Sequence, residues 1–227
     1  MQESTRNIDT KIENEIAKFC DQHVYRNGML FKRTTNVEEQ KSGIDGFLTI
    51  ESHGIFNAPT DEKVASHYVN KAIGTFTLEL SQITRGGKLV DGWLLSDNNK
   101  TEYYMLMYLW ATIPQRYNNK NEIEIEWKHI NSKNITLVEY FLIKKSKIIE
   151  YLEQCGFDKD RLREAAKYTR EHTDKENEEI QKKCFNSYGF KFTINRNFPE
   201  SPVNICIKRD VYKKICIIHD YATRCDW

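Results

Sequence analysis

No stretch of the sequence approaches the roughly 20 apolar residues needed to span a bilayer, and the polar, acidic opening MQESTRNIDTKIENE lacks every feature of a secretory signal. The chain is therefore expected in the cytoplasm, with no membrane partner. A charge excess is missing as well. Lys and Arg number 34 against 33 Asp and Glu, and a formal +1 excludes both a histone-like coat for nucleic acid and an acidic tail. Any nucleic-acid site has to be a local patch. The six cysteines, Cys20, Cys155, Cys184, Cys206, Cys216 and Cys225, form no C-x-x-C pair and have no His at zinc-ligand spacing. In a cytosolic chain they read as reduced, mostly buried thiols. There is no Walker loop, since Arg85-Gly86-Gly87-Lys88 lacks the spacing and the following Ser or Thr. His129 and the His219-Asp220 pair have no recognisable nucleophile partner and read as structural.

What is present suffices for a core. The 227 residues, 39% of them hydrophobic, make one large domain or one compact core with a smaller appendage, and no internal repeat or low-complexity segment interrupts them. Ile8, Ile12, Ile16, Phe19 and Cys20 recur at helical spacing and predict a first amphipathic helix from Ile8 to Val24. A short run, Met29 to Phe31, is followed by a polar loop to Gly43 and then by a strand from Ile44 to Ile50. In that strand Ile44, Gly46, Leu48 and Ile50 share one face, and Asp45, Phe47 and Thr49 the other. His53 to Asn70, with its Gly, Pro59 and several charges, reads as a connecting loop or hairpin with a short helical piece. Thr75 to Gln82 alternates as a half-buried strand should. Thr84 to Lys88 is a turn, and the aromatic, apolar run Thr101 to Thr112 favours a central strand.

Further strand patterns lie at Ile123 to Trp127, where Glu122, Glu124 and Glu126 alternate with apolar residues, and at Leu137 to Ile143. Lys145 to Gln154 predicts a helix closed by Gly156, and Asp158 caps another running towards Glu171. Lys175 to Cys184 is helical in composition. Phe190 to Ile194 and Val203 to Ile207 read as late strands, and Val211 to Tyr221 as a final helix or strand. The order points to an α/β fold with a mixed central sheet flanked by helices. Residues 1–130 form its core, and residues 131–227 add helices and strands packed on it or continuous with it.

Two carboxylates each sit inside an otherwise apolar strand: Asp45 behind Ile44, and Glu79 between Leu78 and Leu80. If the two strands are neighbours, both side chains enter one cleft and offer oxygen ligands to a hard ion such as Mg²⁺. The alternative places both on a solvent-facing strand surface.

The segments EEQKSGIDGFLTI (Glu38 to Ile50) and TFTLELSQ (Thr75 to Gln82), followed by Gly92-Trp93 and KTEYYMLMYLW (Lys100 to Trp110), resemble the PD-(D/E)xK, or restriction-endonuclease-like, nuclease superfamily over roughly the first half of the chain. The resemblance implies a restriction-endonuclease-like core and a metal-dependent deoxyribonuclease using Mg²⁺ or Mn²⁺. Carried over by position, Asp45 matches the motif Asp and Glu79 the motif Glu, with the Leu80 carbonyl as a further metal ligand. Glu15, or else Glu13, matches the acid of the first helix. The sequence departs from the pattern at the motif lysine, where Ser81 stands, followed by Gln82. Either another lysine fills the space, with Lys41 and Lys88 as candidates, or the chain is an inactive nuclease-fold module that binds nucleic acid or a protein. Gln40 is a candidate for positioning water or substrate.

DNA is the implied partner, and phosphate neutralisation the implied source of affinity. Three basic groups are available: Arg163, Lys167 and Arg170 on one helix face; Lys144, Lys145 and Lys147 before another helix; and Lys208, Arg209, Lys213 and Lys214 near the end. A homodimer is common in this superfamily, because two sites cut two strands.

Overall fold

A computed structural model of the chain describes residues 5–117, 123–125, 127–172 and 174–224. In chain order its first half comprises α1 (Thr5–His23), β1 (Met29–Arg33), α2 (Val37–Lys41), β2 (Gly46–Ile50), β3 (Ile55–Val64), β4 (Thr75–Ile83), β5 (Leu89–Asp91), β6 (Tyr103–Ala111), β7 (Gln115–Tyr117) and β8 (Ile123–Ile125). The second half comprises β9 (Ile135–Lys144), α3 (Lys145–Gln154), α4 (Lys159–Glu171), α5 (Lys175–Tyr188), β10 (Phe190–Ile194), β11 (Val203–Lys208), α6 (Arg209–Ile215) and β12 (Ile218–Thr223).

The architecture is mixed α/β. Six strands form one sheet in the order β1-β2-β3-β6-β9-β12, with β3 and β6 parallel and the other neighbours antiparallel. Four more form a second sheet in the order β10-β11-β4-β5. The central strand β6 explains the layering, because it is apolar on both faces. Met105, Met107 and Leu109 point towards α1, where Ile12, Ile16, Phe19 and Cys20 form the apolar stripe foreseen for the first helix. Tyr104, Leu106 and Tyr108 point the other way, onto Phe76, Leu78 and Leu80 of β4, Ile205 and Ile207 of β11, and Leu152 of α3. At about 1.5–3 kcal/mol for each large side chain removed from water, this two-sided burial makes β6 the spine of the molecule.

The strands at Ile44–Ile50, Thr75–Gln82, Thr101–Thr112, Phe190–Ile194 and Val203–Ile207 and the helices starting at Lys145 and after Asp158 form where the patterns place them. Asp158 accepts the Arg161 N–H as its cap. Other readings change. The polar loop before Gly43 holds the short helix α2, capped by the Asn36 side chain on the Glu38 N–H. Val211 to Tyr221 supplies both alternatives, the end of α6 and then β12. Within Ile123 to Trp127, β8 pairs with β7, and Glu122 and Glu126 lie outside the described residues, as does Cys225. Strands from both sides of residue 130 share both sheets: β9 and β12 lie in the first, and β10 and β11 in the second beside β4 and β5.

The largest correction concerns His53 to Asn70. Most of that segment is the ten-residue strand β3, lying between β2 and β6. Pro59 is tolerated there because the pairing with β6 begins one residue later, at Thr60 and Tyr103. Consequently β2 and β4 are not neighbours: β2 pairs with β1 and β3, and β4 with β11 and β5.

Candidate active site

Asp45 immediately precedes β2, at the end of the antiparallel pairing with β3. Its backbone is fixed on both sides, the N–H donating to the Thr60 carbonyl at 3.0 Å and the carbonyl accepting the Thr34 N–H at 2.9 Å. One carboxylate oxygen accepts the Glu62 N–H at 2.8 Å. That bond carries the Asp45 side chain over onto β3, beside the sequence Asp61-Glu62-Lys63.

On β3 the alternation of a strand sorts these three residues. Asp61 and Lys63 face one side. The Asp61 carboxylate is almost wholly buried, at 2% exposure, and lies 2.8 Å from the Lys63 ammonium. Burial pushes the Asp61 carboxyl up to about 7; Lys63 opposes this, while the charge and side-chain hydrogen bond of Asp45 add to it. Burial works against the charge of Lys63, but Asp61, Asp45 and Glu79 outweigh it and hold the ammonium above its ordinary range. Glu62 faces the opposite side, where it accepts the Tyr25 hydroxyl at 2.6 Å and pairs with Arg33. That arrangement ties β3 to β1 and the chain following α1.

Two further acids stand around Lys63 and Asp45. Glu13, on the outer surface of α1, keeps much of its surface open to solvent. The surrounding protein nevertheless raises its carboxyl, with Asp9 and Asp45 adding and Lys63 opposing. Glu79 reaches the site from the second sheet. It lines a small cavity together with Lys63, Trp93 and Tyr104, one of its oxygens is buried without a hydrogen bond, and burial raises its carboxyl against the pull of Lys63. Gly92 permits this packing, because a Cβ there would lie 2.7 Å from the Glu79 backbone and side chain.

The sequence-derived candidates thus separate. Asp45 and Glu79 both approach Lys63, though from different sheets. Glu15 turns away from them: it accepts the backbone and side-chain groups of Ser132 at 2.9 Å and pairs with Lys18, and these hydrogen bonds hold its carboxyl down at about 2. Ser81 is buried under Arg170, which donates to its hydroxyl at 3.1 Å. The Leu80 carbonyl accepts the Gly92 N–H at 2.7 Å, and its side chain is core. Gln40 lies on α2, with its amide near the Thr34 carbonyl at 3.4 Å. Lys41 pairs with Glu38 at 2.8 Å on the surface, and Lys88 closes the turn after β4. The lysine beside the acids is Lys63. Asp61 and Lys63 were missed although the acid-x-Lys signature stands in the sequence, because their segment reads as a loop.

Of the basic groups, Arg163 is engaged by Asp91 and Asp160, Arg170 by the Ser81 and Ser201 carbonyls, Lys147 by Glu150, and Arg209 by Glu139. Lys145 comes nearest the acids. Its ammonium donates to the Trp93 carbonyl at 3.1 Å and to Asn99 at 2.9 Å. Burial and Lys159 lower it to about 8, while Asp61 and Asp97 oppose them.

The donor chemistry at Asp45 and Asp61 fits a hard divalent cation: two carboxylates crowd each other, and burial disfavours the charge of Asp61 until a cation offsets it. Among the described residues, no group of three or more His, Cys, Asp or Glu is gathered to hold a metal. Two carboxylates suit Mg²⁺, which keeps several waters and shares substrate phosphates, better than an ion that needs a closed cage. The five described cysteines are free. No described helix is long and apolar enough to cross a membrane. Comparison with protein-family models finds none that matches the chain, and comparisons with curated proteins and with solved structures likewise return no match.

Proposed function

We propose that this protein is a metal-dependent nuclease, hydrolysing DNA phosphodiester bonds in the cytoplasm. The observation that carries the reading is the meeting of Asp45, Asp61 and Lys63 on two adjacent strands, with Asp61 and Lys63 ion-paired at 2.8 Å. This is the Asp followed by acid-x-Lys of a restriction-endonuclease-like site, with Lys63 in the role for which Ser81 has no charge. Asp45 and Asp61 would hold Mg²⁺ or Mn²⁺, and Glu13 and Glu79 extend the acidic surroundings. When bound, the metal supplies charge stabilisation on the phosphate and an acidified water.

The chain's own residues do the rest. In hydrolysis the water oxygen bonds to phosphorus, the bond from phosphorus to the leaving oxygen breaks with its electron pair on that oxygen, and the proton the water gives up passes through solvent to the leaving oxygen. The Lys63 ammonium, kept charged by Asp61, Asp45 and Glu79, donates hydrogen bonds to the phosphate oxygen on which negative charge grows. A donor fixed in a site of low polarity needs no reorganisation to do so. Asp61 keeps the ammonium in place, and the Glu62 N–H keeps Asp45 in place.

Cleavage of single-stranded, duplex and branched DNA in Mg²⁺ and in Mn²⁺ tests the reading, with Asp45→Asn, Asp61→Asn and Lys63→Ala beside the native chain. Cleavage by the native chain alone supports it. A native chain that cuts no substrate in either metal overturns it and leaves an inactive nuclease-fold module that binds nucleic acid or a protein.

A further inference from the structure

A second cavity, of about 470 Å³, opens beside the candidate site and shares Lys63 with it. One wall is the end of β3 and the turn Ser66–Tyr68; the floor is the outward face of the second sheet. Register explains its composition. Thr77 on β4 stands opposite Cys206 on β11, and Cys206 opposite Lys191 on β10, so one row across three strands presents a hydroxyl and a cation to the groove. The inward-facing neighbours Phe76, Leu78, Phe192 and Ile205 fill the core beneath.

Lys63 is paired with Asp61 and His67 lies against Asp9, but other polar groups of this groove are unspent. Ser66, Thr75 and Thr193 contribute hydroxyls with no protein partner among the described residues. Lys191 makes no ion pair there and leans over the Phe185 ring at 5.4 Å. Tyr68 stands at the rim, 53% exposed. Lysines and hydroxyls are the groups that bind phosphate and sugar, and an exposed aromatic ring is what an unpaired base stacks on. A cavity of this volume falls in the range of about 300–1,000 Å³ that encloses small ligands. That volume is on the scale of one unpaired nucleotide.

We propose that this groove binds an unpaired nucleotide flanking the phosphate at Lys63, so that the preferred substrate presents a single strand at the cut, as in single-stranded or branched DNA. The inference rests on the nuclease reading for the position of the cut, but the binding it asserts is measured without cleavage. The experiment is fluorescence anisotropy of a labelled thymidine oligonucleotide with the full chain in EDTA at low salt, competed by unlabelled duplex, for the native chain, Lys191→Ala, Tyr68→Ala and Thr193→Val. Melting temperatures confirm that each variant is folded.

The expected result is single-strand binding at least tenfold tighter than duplex binding, weakened about five- to tenfold by Tyr68→Ala and by Lys191→Ala. Equal competition by duplex, or variants that bind as the native chain does, overturns the proposal. Cleavage in Mg²⁺ by the same proteins separates the two ideas. Groove-dependent binding without any cutting sinks the hydrolytic reading and leaves the groove. Cutting that the groove variants do not alter, together with their unchanged binding, sinks the groove and leaves the hydrolytic reading.

Discussion

The Lys63 ammonium lies 2.8 Å from the Asp61 carboxylate, and the two residues alternate on one strand, so a single face of β3 carries a buried anion and the cation that answers it. Asp45, bonded to the N–H of the residue between them, completes the group from the adjoining strand. A pair made only for stability gains little from such burial, since desolvation offsets most of the attraction. Lys63 also lines two cavities, which is the setting the proposed catalytic use requires.

Lys63→Ala should therefore lower DNA cleavage in Mg²⁺ by about 100-fold or more, the scale set by losing one donor to a developing oxyanion. Ser81→Ala should leave the rate within about twofold, because Ser81 faces Arg170 and not the acids. Steady-state rates on one DNA substrate decide the matter. A large loss in Ser81→Ala with native activity in Lys63→Ala would reverse the assignment.

The raised carboxyl of Asp61 gives a pH dependence with a definite sign. Its value moves from an ordinary 3.8 to about 7 in the folded chain, so the folded state holds a proton that the unfolded state has lost between those values. Stability from this group is present below about pH 4 and declines as pH rises through about 7. In EDTA the melting temperature should fall over that window, and Asp61→Asn should flatten the fall. Mg²⁺ at pH 8 should raise the melting temperature of the native chain and leave Asp61→Asn unmoved. A native profile insensitive to Mg²⁺ would count against the carboxylate pair as a metal site.

The architecture was more legible than the site. Helical spacing at Ile12, Ile16 and Phe19 and strict alternation at Phe76, Leu78 and Leu80 report burial directly, and burial is what folds those elements. Strand β3 broke that link. Asp61, Glu62 and Lys63 put three charges in a row, and Pro59 and Gly54 punctuate the run, so a strand between two others reads as a surface connection. Glu79 stood out as a carboxylate in an apolar strand and does approach Lys63, but sequence spacing could not show that its strand belongs to the other sheet. The resemblance puts Glu15 ahead of Glu13, but Ser132, distant in sequence, captures Glu15.

Glu79 acts on the lysine through charge. It is one of three carboxylates that keep Lys63 protonated, after Asp61 and Asp45. In Glu79→Gln that support is lost, the ammonium gives up its proton at lower pH, and the alkaline limb of kcat/KM against pH should shift to lower pH with the activity near neutrality largely retained. A metal ligand at this position would instead show loss at every pH and a raised Mg²⁺ requirement. A limb that stays in place with full activity would remove Glu79 from the site altogether.

A different buried carboxylate holds the far edge of the first sheet. Glu139 on β9 has 0% of its side chain exposed and is met by Arg209 at the start of α6 and by His219 on β12 at 2.7 Å, with the Tyr221 hydroxyl at 3.3 Å. The His219 ring in turn stacks on Phe141, with centroids 4.3 Å apart and planes 4° from parallel. Three side chains from two elements, α6 and β12, therefore converge on one acid, and none of them belongs to the candidate site. Glu139→Ala leaves the guanidinium beneath the edge strand unanswered, and should cost about 3–5 kcal/mol of unfolding free energy in urea titrations. Replacing both partners, as in Glu139→Met with Arg209→Met, removes the stranded charge along with the pair and should recover most of that loss. If the double variant is as unstable as the sum of the two single ones, the pair contributes no coupling and the edge is held by the β9–β12 ladder and the Phe141–His219 stack alone.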